Sequence, residues 1–139
     1  MNLTLRGIRA IAKQLPDLAQ QCQLDIAREF KEFVEQELQR QHHTGRNLYG
    51  ERYPKPKKGN PPMFDTGELS QGYDVQITSG GKRLIVHQES AHTIVSSDGK
   101  HTHLPDDRGM PEKWAARLAI IQRKHKEKLL WKICKLADG

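Results

Sequence analysis

The sequence predicts an α+β fold in which long N-terminal and C-terminal helices pack on a small antiparallel β-sheet, with a long extended loop between the two parts. Apolar residues recur at intervals of three and four at both ends of the chain, which is the spacing of one helical face. Between residues 73 and 104 apolar and polar residues alternate instead, as in half-buried strands. A chain of 139 residues can bury one modest core, so we expect a single domain over 1–139.

The N-terminal stretch 2–41 predicts two consecutive helices. Pro16 interrupts the apolar repeat, and proline is tolerated at the start of a helix. We therefore expect a short helix that ends near Gln14 and a longer amphipathic helix that begins near Pro16. The longer helix is expected to end near Gln41, shortly before the stop signal at Gly45.

An irregular basic segment, which we call the arm, follows the helices over residues 44–62. It contains four of the seven prolines of the chain together with several lysine and arginine residues, and no apolar period survives in it. Proline cannot donate to a β-ladder, and the segment can bury little apolar surface. It therefore predicts a long, extended and exposed loop, and loops of this length are usually functional or disordered.

A sharp corner is predicted after the arm, between Pro62 and Tyr73. The side chains of Asp65 and Thr66 can bond nearby backbone amides, and Gly67 tolerates a positive φ. Taken by itself, this corner indicates a loop that leads into a strand.

The sheet is expected over residues 73–104. Its elements are strands at 73–77, 83–87 and 91–96, a hairpin turn at 79–82, and a short fourth strand at 101–104. A meander of three or four strands needs a helix on one face for stability. The long helices are the expected cover.

The last element is a helix predicted over 111–136, after a second irregular loop between Pro105 and Pro111. Proline suits the first turn of a helix, and Glu112 suits its positive end. The middle of this helix, 122–128, is almost wholly polar and basic.

The net charge of +6 is compatible with a nucleic-acid partner, an acidic protein surface or solubility alone. No apolar run approaches the ~18–20 residues that cross a bilayer. The first residues lack the apolar core of a signal peptide, which predicts no membrane association and synthesis in the cytoplasm. Cys22 and Cys134 are expected to be buried free thiols, since that compartment is reducing.

The histidines raise the question of a metal site. His101 and His103 are two positions apart on a predicted strand, point to the same side, and could share a zinc ion with a third imidazole. Solvated or turn histidines are the commoner case, and no thiolate pair or HExxH helix accompanies these residues. We expect no metal.

Motifs for catalysis are not found. The sequence has no GxSxG, no Walker loop and no cysteine–histidine pair in a recognisable context. The carboxylate pairs Asp106 with Asp107 and Asp65 with Glu68 are typical of turns. The sequence predicts a non-enzyme without a cofactor.

Two basic clusters, Arg52 to Lys58 and Arg123 to Lys128, allow several readings. With Tyr49 and Tyr53 interleaved, the first could follow a phosphate backbone while the aromatic rings stack on bases. A solvated arm and a solvated helix face explain the same charges. A third alternative is that the arm docks on an acidic face of another subunit.

Three short motifs stand out in this order of elements. Gly50 and Tyr53-Pro54-Lys55 lie in the arm, Thr66-Gly67-Glu68-Leu69 and Gly72-Tyr73-Asp74-Val75 lead into the sheet, and Leu104-Pro105 to Pro111 leads into the last helix. With these motifs the chain resembles the tail-completion and virion-morphogenesis proteins of tailed phages, a family of neck and tail-terminator subunits. The family's aromatic-x-x-His/Glu-x-Gly step is matched only in part, by His87-Gln88-Glu89-Ser90.

The resemblance implies a structural role in the virion. Family members are expected to form a homo-oligomeric ring, here six-fold, at the head–tail junction or the top of the tail tube. The ring completes the tail and joins it to the capsid, with neck, tail-tube or connector proteins as partners and DNA passing through its lumen without sequence specificity. The residues expected in subunit contacts are Tyr49, Arg52, Tyr53, Lys55, Lys57, Lys58, Phe64, Asp65, Thr66, Gly67 and Leu69. The alternative is a small basic DNA-binding or regulatory protein.

Overall fold

Helix α1 spans Leu5–Thr44 and is the longest element of the computed structural model, which describes residues 4–52, 73–88 and 104–138. At about 1.5 Å per residue its 40 residues extend over ~60 Å. The side chain of Thr4 caps its first turn by accepting the Gly7 N–H at 2.9 Å. Gly45, with φ of 69°, ends it in the left-handed conformation and donates its N–H to the Gln41 carbonyl.

The predicted break at Pro16 is wrong, because α1 continues through this residue. Proline removes the hydrogen bond to the carbonyl of Ala12 and normally kinks or breaks a helix. Pro16 and Ala12 are both exposed here, so water can bind the carbonyl in place of the missing N–H. The stop signal at Gly45 is confirmed, and the helix ends at Thr44 instead of near Gln41.

Two antiparallel strands follow, β1 over Tyr73–Thr78 and β2 over Arg83–Gln88, joined by a 3-10 turn over Ser79–Gly81. The register pairs Val75 with Val86 and Ile77 with Leu84. These four side chains share the face that meets the helices, as the alternation predicts. The proposed third strand at 91–96 and residues 101–103 of the fourth lie outside the described residues, and Leu104 lies in a bend.

Helix α2 spans Glu112–Ala137 and runs antiparallel to α1. Near one end of the pair Lys113 bonds Glu37 at 2.9 Å, and near the other a Cβ atom on Gly7 would overlap the Ala137 backbone. Between these points the Cys22 thiol lies 3.6 Å from the His125 carbonyl. The two helices therefore pack as an antiparallel pair over the whole length of α2, and we call this pair the helical hairpin.

The core lies where this helical hairpin meets the sheet. Its buried apolar side chains are Phe30, Val34, Leu38, Val75, Trp114 and Ile121. The arrangement of two long helices on a small antiparallel sheet confirms the α+β prediction.

Both helices also expose large apolar side chains away from this core. The exposed residues on the helices are Leu5, Ile8, Leu15, Ile120, Leu130 and Trp131. Isolated exposed hydrophobic residues are common on protein surfaces, but several on adjacent turns of paired helices indicate an interaction surface.

Candidate interaction site

The chain leaves α1 through a compact turn, residues 45–52, which we call the root turn because the rest of the arm continues from it. The buried side chain of Asn47 organises this turn. Its Oδ1 accepts the backbone N–H groups of Tyr49 at 3.0 Å and Glu51 at 2.9 Å, and its Nδ2 donates to Glu51 Oε1 at 2.9 Å. The beginning of the predicted arm is thus folded against the body of the protein.

Tyr49 joins the root turn to the loop 104–111, which precedes α2. Its hydroxyl donates to the Gly109 carbonyl at 2.6 Å and accepts the Asp106 N–H at 2.9 Å. Asp106 also orders its own loop, because its Oδ1 accepts the Arg108 N–H and its carbonyl accepts the Gly109 N–H, each at 2.9 Å. One hydroxyl therefore holds together two segments almost 60 positions apart in sequence.

Arg108 adds a contact with the aromatic ring of Tyr49. Its guanidinium carbon lies 3.9 Å from the centroid of Tyr49, within the range of a cation–π interaction. The same guanidinium binds Asp106 at 2.9–3.1 Å and Glu51 at 2.6 Å. We call Tyr49, Glu51, Asp106 and Arg108 the clamp.

The contacts of the clamp shift the pKa values of Asp106, Arg108 and Tyr49 so that each keeps the protonation state that forms these contacts. Hydrogen bonds from Arg108 hold the pKa of Asp106 well below its usual range, and the carboxylates of Asp106 and Glu51 raise the pKa of Arg108. Burial raises the pKa of Tyr49, so its hydroxyl keeps the proton that it donates to Gly109. Exposed ion pairs contribute little free energy individually. The main effect of the clamp is therefore to fix the position of the root turn relative to the loop 104–111.

Acid is expected to weaken the clamp. Because the folded-state pKa of Asp106 is lowered, its contribution to stability is complete above the unfolded pKa of about 3.9 and is lost as the pH falls through the folded value. We expect the free energy of unfolding in urea to fall between pH 5 and pH 2.5, and to fall less in Asp106→Asn. Glu29→Gln is the matched control, since Lys124 lowers the pKa of Glu29 outside the clamp.

Amide hydrogen exchange separates the two variants locally. Loss of the Asp106 carboxylate should speed exchange of the amides in 104–111 at pH 5, whereas Glu29→Gln should leave them protected. An Asp106→Asn protein with the same acid dependence as the parent chain contradicts this role for the clamp.

An open cleft of about 520 Å³ lies beside the clamp, between the end of α1, the root turn and the start of α2. Charged side chains on its walls are already paired, since Glu37 contacts Lys113 at 2.9 Å and Arg40 at 3.6 Å. Arg46 points its guanidinium at the Gly50 carbonyl, 2.9 Å away. The cleft is therefore lined by apolar as well as polar groups, and part of its charge is paired within the protein.

A buried polar contact ties the end of α1 to the start of β1. Gln41 Nε2 donates to the Tyr73 hydroxyl at 2.8 Å, and His42 Nε2 lies 2.9 Å from the same oxygen. Gln41 and His42 are almost fully buried. Buried polar groups are hydrogen-bonded, which makes this contact a fixed point next to the root turn.

Only two of the predicted contact residues, Tyr49 and Arg52, lie among the described residues. Tyr49 belongs to the clamp, where it bonds the chain's own loop, and Arg52 is exposed and pairs with Arg46 in an isolated β-bridge. The other predicted contact residues lie outside the described residues: Tyr53, Lys55, Lys57, Lys58, Phe64, Asp65, Thr66, Gly67 and Leu69.

The second basic cluster, Arg123 to Lys128, lies on α2 and is only partly paired. Lys124 binds Glu29 of α1, and His125 Nε2 lies 3.6 Å from the same carboxylate. The cluster is therefore more than a solvated helix face, because Lys124 and His125 join α2 to α1.

Within 4–52, 73–88 and 104–138, no group of three histidine, cysteine or acidic side chains is arranged to hold a metal ion. The histidines singled out for a zinc site, His101 and His103, lie outside these ranges. Cys22 and Cys134 are free thiols, but they are half-buried and not fully buried as predicted.

Sequence reasoning missed Asn47, Asp106 and Arg108 as residues of a site. The turn chemistry of Asp106 was visible and is confirmed, since its side chain bonds the backbone two residues on. No local signal pairs this loop with the root turn, because the contact is made only when the ends of α1 and α2 lie side by side.

Neither described helix has the uncharged apolar length that spanning a bilayer requires. Comparisons of the chain with protein-family models, with curated proteins and with solved structures found no match.

Proposed function

We propose that this chain is a structural virion protein of a tailed phage. Its subunits form a homo-oligomeric ring, six-fold, at the head–tail junction or the top of the tail tube. The ring completes the tail and joins it to the capsid through neck, tail-tube or connector proteins. DNA passes through its lumen without sequence specificity.

The observation that carries this proposal is the clamp. Two of the motif-bearing segments, the root turn with Gly50 and the loop 104–111, are far apart in sequence and meet through Tyr49 and Arg108. The clamp holds the point from which the chain continues into Tyr53-Pro54-Lys55. A fixed starting point lowers the entropy lost when an arm docks on a neighbour, and proline lowers it further.

A thin core supports the same proposal. The buried apolar cluster among the described residues involves six side chains, although α1 alone is ~60 Å long. Large apolar residues such as Leu5 and Trp131 remain more than 60% exposed. Such a chain suits an assembly in which contacts with other proteins cover its exposed apolar residues.

The proposal predicts assembly that depends on the arm. The purified chain should form a closed particle with the mass of six 15.9 kDa subunits, measured by light scattering and seen as rings by negative-stain electron microscopy. Replacing Lys55, Lys57 and Lys58 together by alanine should shift it to monomers with unchanged circular dichroism. The matched control neutralises Lys128, Lys132 and Lys135 on α2 and should leave the ring intact.

Binding to duplex DNA distinguishes the alternative function. A DNA-binding protein would show affinity that falls steeply with salt, with a slope reduced in the Lys55, Lys57 and Lys58 variant. A monomer with that behaviour contradicts the ring, and a ring without DNA affinity contradicts the DNA-binding alternative.

A further inference from the structure

One end of the helical hairpin extends past the strands, and we call it the free end: residues 4–19 of α1 and 128–138 of α2. The turn between β1 and β2 reaches α1 at Gln20 and Gln23, where Gln20 Nε2 donates to the Gly80 carbonyl at 3.0 Å. The other end of the strand pair reaches Gln41 through Tyr73. The first turns of α1 therefore lie beyond the described sheet.

An apolar stripe runs along α1, and its large side chains become exposed beyond this boundary. Leu5, Ile8, Ala12, Leu15, Ala19, Cys22, Ile26 and Phe33 follow the alternating three-and-four spacing of a helix–helix seam, with only position 29 missing. Ile26 and Phe33 pack against the core. Leu5, Ile8, Ala12 and Leu15 continue the same face and are exposed. The spacing of a packed seam is thus present where the side chains are exposed.

Helix α2 adds further exposed apolar surface to the free end. Leu130 and Trp131 are 60% and 65% exposed, and the Lys135 ammonium lies 4.2 Å from the centroid of the Trp131 ring. Gly7 lies against Ala137, so the first turns of α1 and the last turns of α2 are adjacent. A partner that reaches the α1 stripe can therefore contact α2 as well.

Charge indicates which partner fits. The free end holds six lysine and arginine residues and two acidic residues, Asp17 and Asp138, a net charge of +4. Lys113 and Lys124 on the first half of α2 pair with Glu37 and Glu29 of α1. Lys128, Lys132 and Lys135 lie opposite the stretch of α1 that carries Arg6, Arg9 and Lys13. Among the described residues, the lysine–glutamate ion pairs between the two helices end at Lys124, before the free end begins.

We propose that the free end binds an acidic amphipathic helix of a partner protein, with apolar residues against the α1 stripe and carboxylates facing the lysines and arginines. A second copy of the same surface is disfavoured, since it would bring two groups of +4 together. An anionic membrane suits a broad apolar face better than a narrow seam. The free end shares no residue with the arm, so the inference does not depend on ring formation.

The test uses the full chain and a labelled synthetic 21-residue helical peptide with leucine at heptad positions a and d and glutamate at the flanking positions. Fluorescence anisotropy at 100 mM NaCl should show saturable binding, and the emission of the exposed Trp131 should shift to shorter wavelength. Leu130→Ala should weaken binding about tenfold, the effect of a typical interface anchor. Ile120→Ala, also exposed on α2 but outside the free end, is the matched control.

Two control peptides separate the apolar and charged contributions. Replacing the flanking glutamates by lysine, or the leucines by serine, should abolish binding. Equal binding of the lysine peptide, or a Leu130→Ala chain that binds like Ile120→Ala, overturns the proposal. So does the absence of binding to the acidic peptide, or tight binding to vesicles of anionic lipid that the acidic peptide does not displace.

Discussion

Replacing Leu38 by alanine is expected to lower the free energy of unfolding by about 3 kcal/mol, the usual cost of deleting a buried leucine side chain. Leu38 lies on α1 in the core cluster and is fully buried. The lost transfer free energy and the remaining cavity add together, since the surrounding side chains relax only in part. Urea denaturation followed by circular dichroism measures the change.

Leu130→Ala is the matched control for this substitution. Leu130 is 60% exposed on α2, so the same chemical change should alter stability by less than about 0.5 kcal/mol. Comparable losses in both variants would mean that the core does not lie between α1, α2 and the sheet. If the chain assembles, both measurements must be made at one protein concentration, because association contributes to apparent stability.

Replacing Tyr49 by phenylalanine is expected to destabilise the protein by about 2 kcal/mol, because it removes one hydroxyl that serves two backbone groups. The Gly109 carbonyl loses its donor and the Asp106 N–H loses its acceptor, while the ring remains beneath Arg108. Hydrogen exchange should be faster in the root turn and the loop 104–111. The alkaline loss of stability caused by ionisation of Tyr49, which begins above its unfolded pKa of about 10, should also disappear.

Arg52→Ala provides the comparison within the same turn. Arg52 is exposed and makes a backbone bridge to Arg46 that alanine preserves, so its loss should change neither stability nor exchange in 104–111. A Tyr49→Phe protein indistinguishable from Arg52→Ala would show that the clamp does not fix the root turn. The proposed ring would then have lost its main structural support.

The two-helix-and-sheet architecture could be predicted because local patterns carry it. Residues 73–77 and 83–87 alternate, and they form β1 and β2 within one residue of the predicted ends. The last helix was predicted over 111–136 and is found over Glu112–Ala137. Pro16 was misleading because helix breaking depends on whether the freed carbonyl can reach water, which the sequence does not state.

The local residue pattern determined the type of secondary structure in each segment. Helical spacing marks both ends, strand alternation marks the middle, and Gly45 marks the end of α1. These are properties of neighbouring residues, which share φ/ψ preferences and one face of an element. Only the tertiary structure decided that Tyr49 meets Asp106 and Arg108, and that the apolar stripe of α1 packs against the core at Phe33 but is exposed at Leu5. The physical reason is that burial and long-range hydrogen bonds depend on which elements lie side by side, and the antiparallel pairing of α1 with α2 sets that arrangement.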